Sequence, residues 1–574
     1  MNTILKKLFV RVSAAVASIA TVSFAAMTFA LALVFNTLTS CTNEREEILK
    51  AIPADAELVM VGDITTIINS LGGSTEDSKI TLPSCIKNEL SEGEVEDFES
   101  FNKTLEKSGV NINACALMLL KLKDNHPVIV AKVDDVKKLK SFIEDEGYKE
   151  KSDDNDLTIY KKLTYESDYD ESYNNYSYIG LSKSYVYFIA DVWVGSDFNP
   201  INKLETIAED VKSGNFASTP YGKYISQGNA GGIAINLSHA VNSDQRDKIP
   251  SIMRSYLDKV ICFKGDITNN SIEVEMQILD ENGNAVTPLQ LKGLDPESTI
   301  NTKALSYMSK DDVFVAGLSL KNVDWDDIIE TFGKMADVSR SDMAKMRALK
   351  GYLDMLNGTV AYGIGYTDDL NNIPDYKSEK NIAGNVSFTL VAELKAEKLQ
   401  QCMNDITALL DETGIPYTNS NGCINISAVD QTGMEIYIKG DDNFLIFSTR
   451  KPNKGNNNTV AELPGVDNSM AFAAFTLNKS CRIMRSLGSK YDISCIGIND
   501  TKAKKFKYVL TIDGDDDRGA LERLFRFGKQ TYDTLDNISK EYDKKHYNSY
   551  DNDYWDADTV AVEEDMIAVD SLAY

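Results

Sequence analysis

Three aspartates near the end of the chain have the spacing of a calcium-binding loop. Asp513, Asp515 and Asp517 occupy alternate positions, and carboxylate oxygens are ligands that Ca²⁺ prefers. The remainder departs from that pattern, because the sixth position holds Arg518 instead of glycine and the twelfth holds Leu524 instead of glutamate. We therefore interpret the aspartates as an acidic turn that complements the positive N-terminal end of a following helix.

The residues that could support other catalytic or metal chemistry are scattered. Ser448 and Lys451 have a Ser-x-x-Lys spacing, but they end a strand-like run instead of opening a helix. None of the three histidines, His126, His239 and His546, has a partner at zinc spacing, so we interpret them as structural or solvated. We predict no catalytic residue, no metal site and no cofactor.

Cys41 is the residue whose surroundings predict a specific chemistry. It ends the tetrapeptide Leu-Thr-Ser-Cys after a long apolar run, a pattern that resembles a bacterial lipobox. In that motif the thiol is acylated and the cysteine becomes the mature N-terminus. Each buried methylene group contributes about 0.8 kcal/mol, so two or more acyl chains give stable anchoring. We predict that Cys41 is lipidated and that the protein is an outer-membrane lipoprotein, facing either the surface or the periplasm.

The segment before Cys41 has the parts of a secretory signal. Three basic residues precede an apolar stretch from Val12 to Phe35, and small residues follow it. The stretch is long enough to span a bilayer uncleaved, so the alternative is a signal-anchored inner-membrane protein. We favour a signal peptide over residues 1–40, because the cysteine position is otherwise hard to explain.

Residues 41–50 are expected to form a lipidated acidic tether. Its segment 42–47 reads Thr-Asn-Glu-Arg-Glu-Glu. Acidic residues just after the lipidated cysteine resemble the surface-export signal of Bacteroidota lipoproteins.

Composition limits the partners and the domain count. The 574 residues carry a net charge of −27, which argues against nucleic acid and against charge-driven binding to anionic membranes. The chain is too long for a single core, so two or more domains are expected. Apart from Cys41 there are seven cysteines, an odd number without a Cys-x-x-Cys pair, and we expect mostly buried free thiols with one or two disulfides still open.

An internal repeat is the second strong signal in the sequence. Seven segments recur in the same order with similar patterns of turns, alternating strands and amphipathic helices. The pairs are 51–61 and 307–317, 127–133 and 387–393, 134–147 and 394–414, 156–160 and 422–427, 178–189 and 435–447, 231–237 and 470–477, and 260–277 and 493–511. The two helical segments end at Gly147 and Gly414, as left-handed caps require.

These pairs predict an α+β fold of two tandem, structurally similar units, each with a mostly antiparallel sheet and amphipathic helices. We place the first unit at 51–295 and the second at 300–527. Residues 528–574 are expected to form a helical end and a disordered acidic tail.

The chain resembles a family of Bacteroidales envelope lipoproteins built on a domain of unknown function. The resemblance rests on the leader, the Ala-Ile-Pro-Ala-Asp-Ala opening at 51–56 and the Leu-Asn-Gly sequence at 356–358, and it extends over most of 41–527. It implies no established activity and no catalytic residues.

Two further features concern modification and contact. Thr534, Thr559 and Ser571 lie in Asp-Ser/Thr-apolar tripeptides that resemble the O-glycosylation signal of Bacteroidota envelope proteins. The loop between Tyr165 and Tyr178 is acidic and rich in tyrosine, a low-entropy contact residue. It is either a ligand or glycan contact or a solvated loop.

We predict a lipid-anchored envelope protein that binds or scaffolds another component. The membrane is contacted through the lipid, and the partner is an envelope protein or a glycan. Two alternatives remain open: an envelope hydrolase with a carboxylate pair that cannot be recognised in the sequence, and the signal-anchored protein.

Overall fold

The computed structural model describes residues 42–547 except 77–78, 123–125, 155, 167–173, 194–197, 238–255, 289–292, 309–311, 336–339, 349, 367–385, 428–434, 455–458, 479–483 and 486. Cys41, the segment 1–40 and the tail beyond Tyr547 lie outside the described residues. The chain divides into one compact body that ends at Leu524 and a second unit, 525–574. The body therefore contains both of the units that we placed at 51–295 and 300–527, apart from the last three residues.

The described helices are mostly short. They are α1 (Thr42–Leu49), α2 (Ile64–Ser70), α3 (Ser84–Lys87), α4 (Glu92–Ser108), α5 (Val136–Asp145), α6 (Pro200–Ser213), α7 (Pro220–Ile225), α8 (Trp325–Met335), α9 (Arg340–Ala348), α10 (Lys350–Leu353), α11 (Leu399–Thr413) and α12 (Ala520–Tyr547).

The strands are β1 (Leu58–Gly62), β2 (Ser74–Glu76), β3 (Lys79–Thr81), β4 (Val110–Leu119), β5 (Val128–Val133), β6 (Lys149–Asp154), β7 (Leu157–Tyr165), β8 (Asn175–Leu181), β9 (Tyr185–Trp193), β10 (Gly231–Asn236), β11 (Val260–Ile267), β12 (Ser271–Leu279), β13 (Ala285–Val286), β14 (Asp312–Ser319), β15 (Leu356–Tyr366), β16 (Val386–Leu394), β17 (Thr418–Ser420), β18 (Cys423–Ile426), β19 (Ile436–Asp441), β20 (Phe444–Ser448), β21 (Ser469–Leu477), β22 (Asp492–Asp500) and β23 (Lys505–Asp513).

Local sequence signals set the helix ends. Asp135 accepts a hydrogen bond from the Lys138 backbone N–H and thereby caps the start of α5. Gly147 after α5 and Gly414 after α11 adopt φ values of +83° and +66°. The two predicted left-handed glycines are confirmed, because glycine adopts this conformation without steric cost.

The body is a mixed α and β structure around one large antiparallel sheet of 21 described strands. At its centre β12 pairs with β23. Outward from β12 the order is β11, β10, β1, β4, β5, β9, β8, β7 and β6. Outward from β23 the order is β22, β21, β14, β15, β16, β20, β19, β18 and β17. The strands on the two sides therefore follow the chain in the same sequence.

Both faces of the sheet carry a core. On one face, α1, α6 and α7 cover a large apolar cluster in the first half, and the 3₁₀ helix Thr302–Tyr307 covers one in the second half. On the opposite face, α5 and α11 cover two further clusters. Strands that alternate with period two supply apolar side chains to both faces in these regions.

Charged side chains cross the central strand pair. Glu275 of β12 contacts Lys264 at 3.2 Å and Lys505 at 2.6 Å, and Glu273 contacts Lys507 at 2.6 Å. Burial raises the pKa of Glu275, but the hydrogen bonds and charges of the two lysines lower it by a larger amount. The pKa therefore lies below its usual value. The half-buried Glu275 therefore joins the two sides of the sheet as a carboxylate.

The expected tether is the clearest correction. Residues 42–49 form helix α1, and its Arg45, Ile48 and Leu49 are completely buried. The prediction of an acidic tether was wrong, because the apolar residues within this charged segment occupy the core when the sheet forms.

Candidate functional site

The predicted lipidation site, Cys41, lies outside the described residues, but its neighbour Thr42 is the first residue of α1. A trans peptide bond places consecutive Cα atoms about 3.8 Å apart. The predicted lipidation site is therefore followed directly by the first helix of the body.

Arg45 fixes α1 to the body. Its Nη1 donates a hydrogen bond to the carbonyl oxygen of Asn229 at 2.7 Å and lies 3.9 Å from a carboxylate oxygen of Asp63. Asp63 also caps α2 by accepting a hydrogen bond from the Thr66 backbone N–H at 2.7 Å. Removing one partner from a buried ion pair is strongly destabilising, so this contact holds the segment after Cys41 firmly.

The turn that receives this arginine is closely packed. The Asn229 amide exchanges hydrogen bonds with the Ile267 backbone at 2.9 and 2.7 Å, and its backbone N–H donates to Asp266 at 2.7 Å. Gly231 has a φ of +138°, and a Cβ there would lie 2.3 Å from the Val61 carbonyl oxygen. Only glycine fits at this crossing of backbones.

In the second half, the 3₁₀ helix Thr302–Tyr307 precedes β14 as α1 precedes β1. The Asn301 amide donates to Glu393 at 2.8 Å, and the same carboxylate accepts from the Asn443 amide at 3.0 Å and from the Thr359 backbone at 2.9 Å. A neutral amide therefore ties down this segment, where a buried guanidinium does so in the first half.

The buried carboxylates of the described residues all lie beside a cation. The pairs are Glu57 with Lys121 at 3.3 Å, Asp63 with Arg45 at 3.9 Å, Asp312 with Arg450 at 3.3 Å, and Glu522 with Arg518 at 3.3 Å. Such pairing compensates the cost of burying a charge. The ion pairs therefore explain why these four carboxylates are buried in the fold.

Ser448 and Lys451 do not form a nucleophile pair. Ser448 is buried, and its hydroxyl lies 3.2 Å from the Phe388 carbonyl oxygen and 2.9 Å from the Thr389 hydroxyl. Lys451 lies on the surface beyond the strand. The hydroxyl therefore belongs to the hydrogen bonding between β16 and β20.

Two aspartates near the end of the body contact side chains of the protein itself. Asp513 accepts a hydrogen bond from the Asn270 amide at 2.8 Å, and Asp516, outside the alternating set, contacts Arg523 at 2.9 Å. Burial raises the pKa of Asp516, but the Arg523 hydrogen bond and other contacts lower it below its usual value. Helix α12 begins at Ala520, and no group of three His, Cys, Asp or Glu side chains in the described part of the chain is arranged to hold a metal ion.

The cysteines that the structure describes are free thiols, namely Cys85, Cys115, Cys262, Cys402, Cys423 and Cys495. Burial raises the pKa of Cys115 to about 12 and that of Cys495 to about 11. These two thiols stay protonated and unreactive near neutral pH.

The other predicted residues are dispersed. The His126 ring stacks on Phe198 with centroids 4.3 Å apart, His546 lies in the last turn of α12, and His239 is outside the described residues. Thr534 lies within α12, where its hydroxyl donates to the Gln530 carbonyl oxygen at 2.8 Å. The other two glycosylation candidates, Thr559 and Ser571, are outside the described residues.

A group of exposed apolar side chains lies at the far ends of β7 and β9. Leu163, Tyr165 and Trp193 are 39, 58 and 43% exposed, and they are three of the ten large apolar side chains exposed in the described residues. The sequence had drawn attention to Tyr165 through the tyrosine-rich loop, but not to Trp193. A signal for Trp193 is present in the sequence. The strand pattern that begins at Tyr185 continues to Trp193, beyond the part of the hairpin that packs in the core.

No protein-family model, curated protein or solved structure matches this chain. Within the described part of 42–547, no helix is sufficiently long and apolar to cross a membrane.

Proposed function

We propose that the chain is an envelope lipoprotein, anchored in the outer membrane through Cys41, that binds or scaffolds another envelope component. The observation that carries the proposal is the start of the folded body one residue after this cysteine, where α1 is held by the buried Arg45. Acyl chains on Cys41 would then hold a rigid body directly at the membrane surface.

We further propose that the body consists of two related units and that the first begins at α1 instead of residue 51. The equal strand order on the two sides of the β12–β23 pair supports this division. Residues that lie 256 positions apart in the sequence, before and within β1 and β14, are buried in both halves. The pairs are Ile48 and Ala304, Leu49 and Leu305, Ala51 and Tyr307, Ile52 and Met308, and Val59 and Val315.

Binding is favoured over hydrolysis by the surroundings of the acidic groups. The four buried carboxylates have cationic partners and lie in separate parts of the fold. The exposed Trp193 lies far from α1. Tyr185, at the start of β9, donates a hydrogen bond to the Glu47 carbonyl oxygen, and Trp193 ends the same strand about 26 Å further along.

Metabolic labelling with palmitate tests the anchor. Wild type should incorporate the label and sediment with membranes, whereas Cys41→Ala should lose the label. Cys85→Ala, which removes a thiol within the body, is the matched control and should keep it. A Cys41→Ala protein that remains labelled, or an unlabelled wild type that stays in the membrane, would favour the signal-anchor alternative.

A further inference from the structure

The two halves of the sheet differ most in the lengths of three neighbouring strands near its outer ends. Strands β7, β8 and β9 have 9, 7 and 9 residues, whereas their counterparts β18, β19 and β20 have 4, 6 and 5. Tyr178 opposes Ile189 as Tyr437 opposes Ser448, so most of the additional residues lie at the ends of the strands that carry Tyr165 and Trp193. A closed core forms without this extension in the second half.

The extension arranges three side chains in one row. Tyr165 is directly opposite Asn175, and Asn175 is directly opposite Trp193. Directly opposed residues point to the same face of a sheet, and the strand spacing places the two aromatic residues about 10 Å apart with the amide between them. We name Tyr165, Asn175 and Trp193 the aromatic row.

Two of the three side chains of the aromatic row, Tyr165 and Trp193, are exposed. Asn175 is on the same face as Ile179, which α5 covers, but Tyr165 and Trp193 lie beyond the end of that cover and remain exposed. Leu163 points to the other face, because it opposes Tyr176, the neighbour of Asn175. The row therefore places two exposed aromatic side chains and an amide on one face of the sheet, and Leu163 lies outside it.

We propose that the aromatic row binds a neutral oligosaccharide, an inference that rests on the proposed binding function and names its ligand class. Aromatic faces accept the apolar C–H face of a sugar ring, and an amide both donates to and accepts from hydroxyl groups. The separation of the rings is about the length of a disaccharide unit. The three side chains are uncharged, and the net charge of −27 disfavours an anionic glycan.

Two other ligand classes fit less well. An extended peptide adds to a sheet at an unpaired edge, whereas β8 is paired at Asn175 with both of its neighbours. A membrane would be met at the anchored end, whereas the aromatic row lies about 26 Å along β9 from the contact with α1.

The test uses the full chain purified in detergent and titrated with maltotetraose, cellotetraose, chitotetraose and mannotetraose. Binding of at least one tetrasaccharide should change the tryptophan fluorescence, and isothermal calorimetry gives its affinity. Trp193→Ala and Tyr165→Ala should each weaken that binding about tenfold or more. Leu163→Ala, on the other face of the same strand, and Tyr352→Ala, an exposed aromatic elsewhere, should leave it unchanged.

Failure of all four sugars to bind at millimolar concentration would overturn the inference, as would binding that Trp193→Ala does not weaken. Trp193-dependent binding of phosphatidylglycerol vesicles or of a strand-forming peptide, without sugar binding, would assign the row to that other class. Palmitate labelling decides the anchor independently of each of these results.

Discussion

The outer hairpins of the two halves share their pairing but not their length. In the second half β18–β20 end where the core beneath them ends, and Tyr437 near the corresponding end of β19 is only half-exposed. In the first half the same strands continue and expose a tyrosine and a tryptophan. The difference teaches that a closed core forms with the shorter strands, so the core does not require the additional length in the first half.

The segments that precede the first strand of each half also differ. Both bury apolar residues before the first strand, but α1 adds a fully buried arginine, and the 3₁₀ helix Thr302–Tyr307 adds a neutral asparagine. Three pairs of substitutions test how these segments, the central ion pairs and the outer strands contribute to folding.

The largest effect is expected from Arg45→Ala. It leaves Asp63 buried without this cation, so the free energy of unfolding should fall by about 3–5 kcal/mol. The matched change Asn301→Ala removes a neutral capping and hydrogen-bonding group and should cost about 1–2 kcal/mol. Urea unfolding measures both changes in stability. Equal losses of stability would mean that the Arg45 contacts of α1 and the Asn301 contacts of the second half are energetically equivalent.

Glu275→Gln probes the connection between the halves. Loss of a half-buried carboxylate that contacts two lysines should cost about 1–2 kcal/mol at pH 7. Since the folded-state pKa of Glu275 is lowered, its contribution is present above the unfolded value of about 4.3 and is lost as pH falls through the folded-state pKa. The stability of the variant should therefore depend less on pH in this acidic range.

Glu273→Gln is the control for this experiment, because Glu273 lies on the same strand but contacts Lys507 at a more exposed position. Its effect should be about 0.5 kcal/mol or less. A wild type and a Glu275→Gln variant with the same acid profile would show that the central ion pairs do not join the halves energetically.

The smallest effect is expected from Tyr165→Ser in the aromatic row. Because the side chain is 58% exposed, the free energy of unfolding should change by about 0.5 kcal/mol or less. Tyr178→Ser, in the same hairpin but 7% exposed, should cost about 1.5–3 kcal/mol. If both variants lost the same stability, the extension would be part of the core.

Much of the architecture could be predicted from local patterns. Alternating apolar residues indicated the strands, and helix caps such as Gly414 depend only on neighbouring residues. The burial of Arg45 could not be predicted in this way, because its hydrogen-bond partner Asn229 lies 184 residues away. Charge alone led to the tether interpretation, although Ile48 and Leu49 within the same segment pointed to the core.

The sequence by itself determined the periodicity of the strands and the left-handed glycines Gly147 and Gly414 after α5 and α11, since each depends on residues close together in the chain. Only the tertiary structure decided that both halves share one sheet, that α1 belongs to the core and that Tyr165, Asn175 and Trp193 form one row. These properties depend on strand register and burial. Both are set by contacts between distant segments, whose free energy is gained only when the whole sheet assembles.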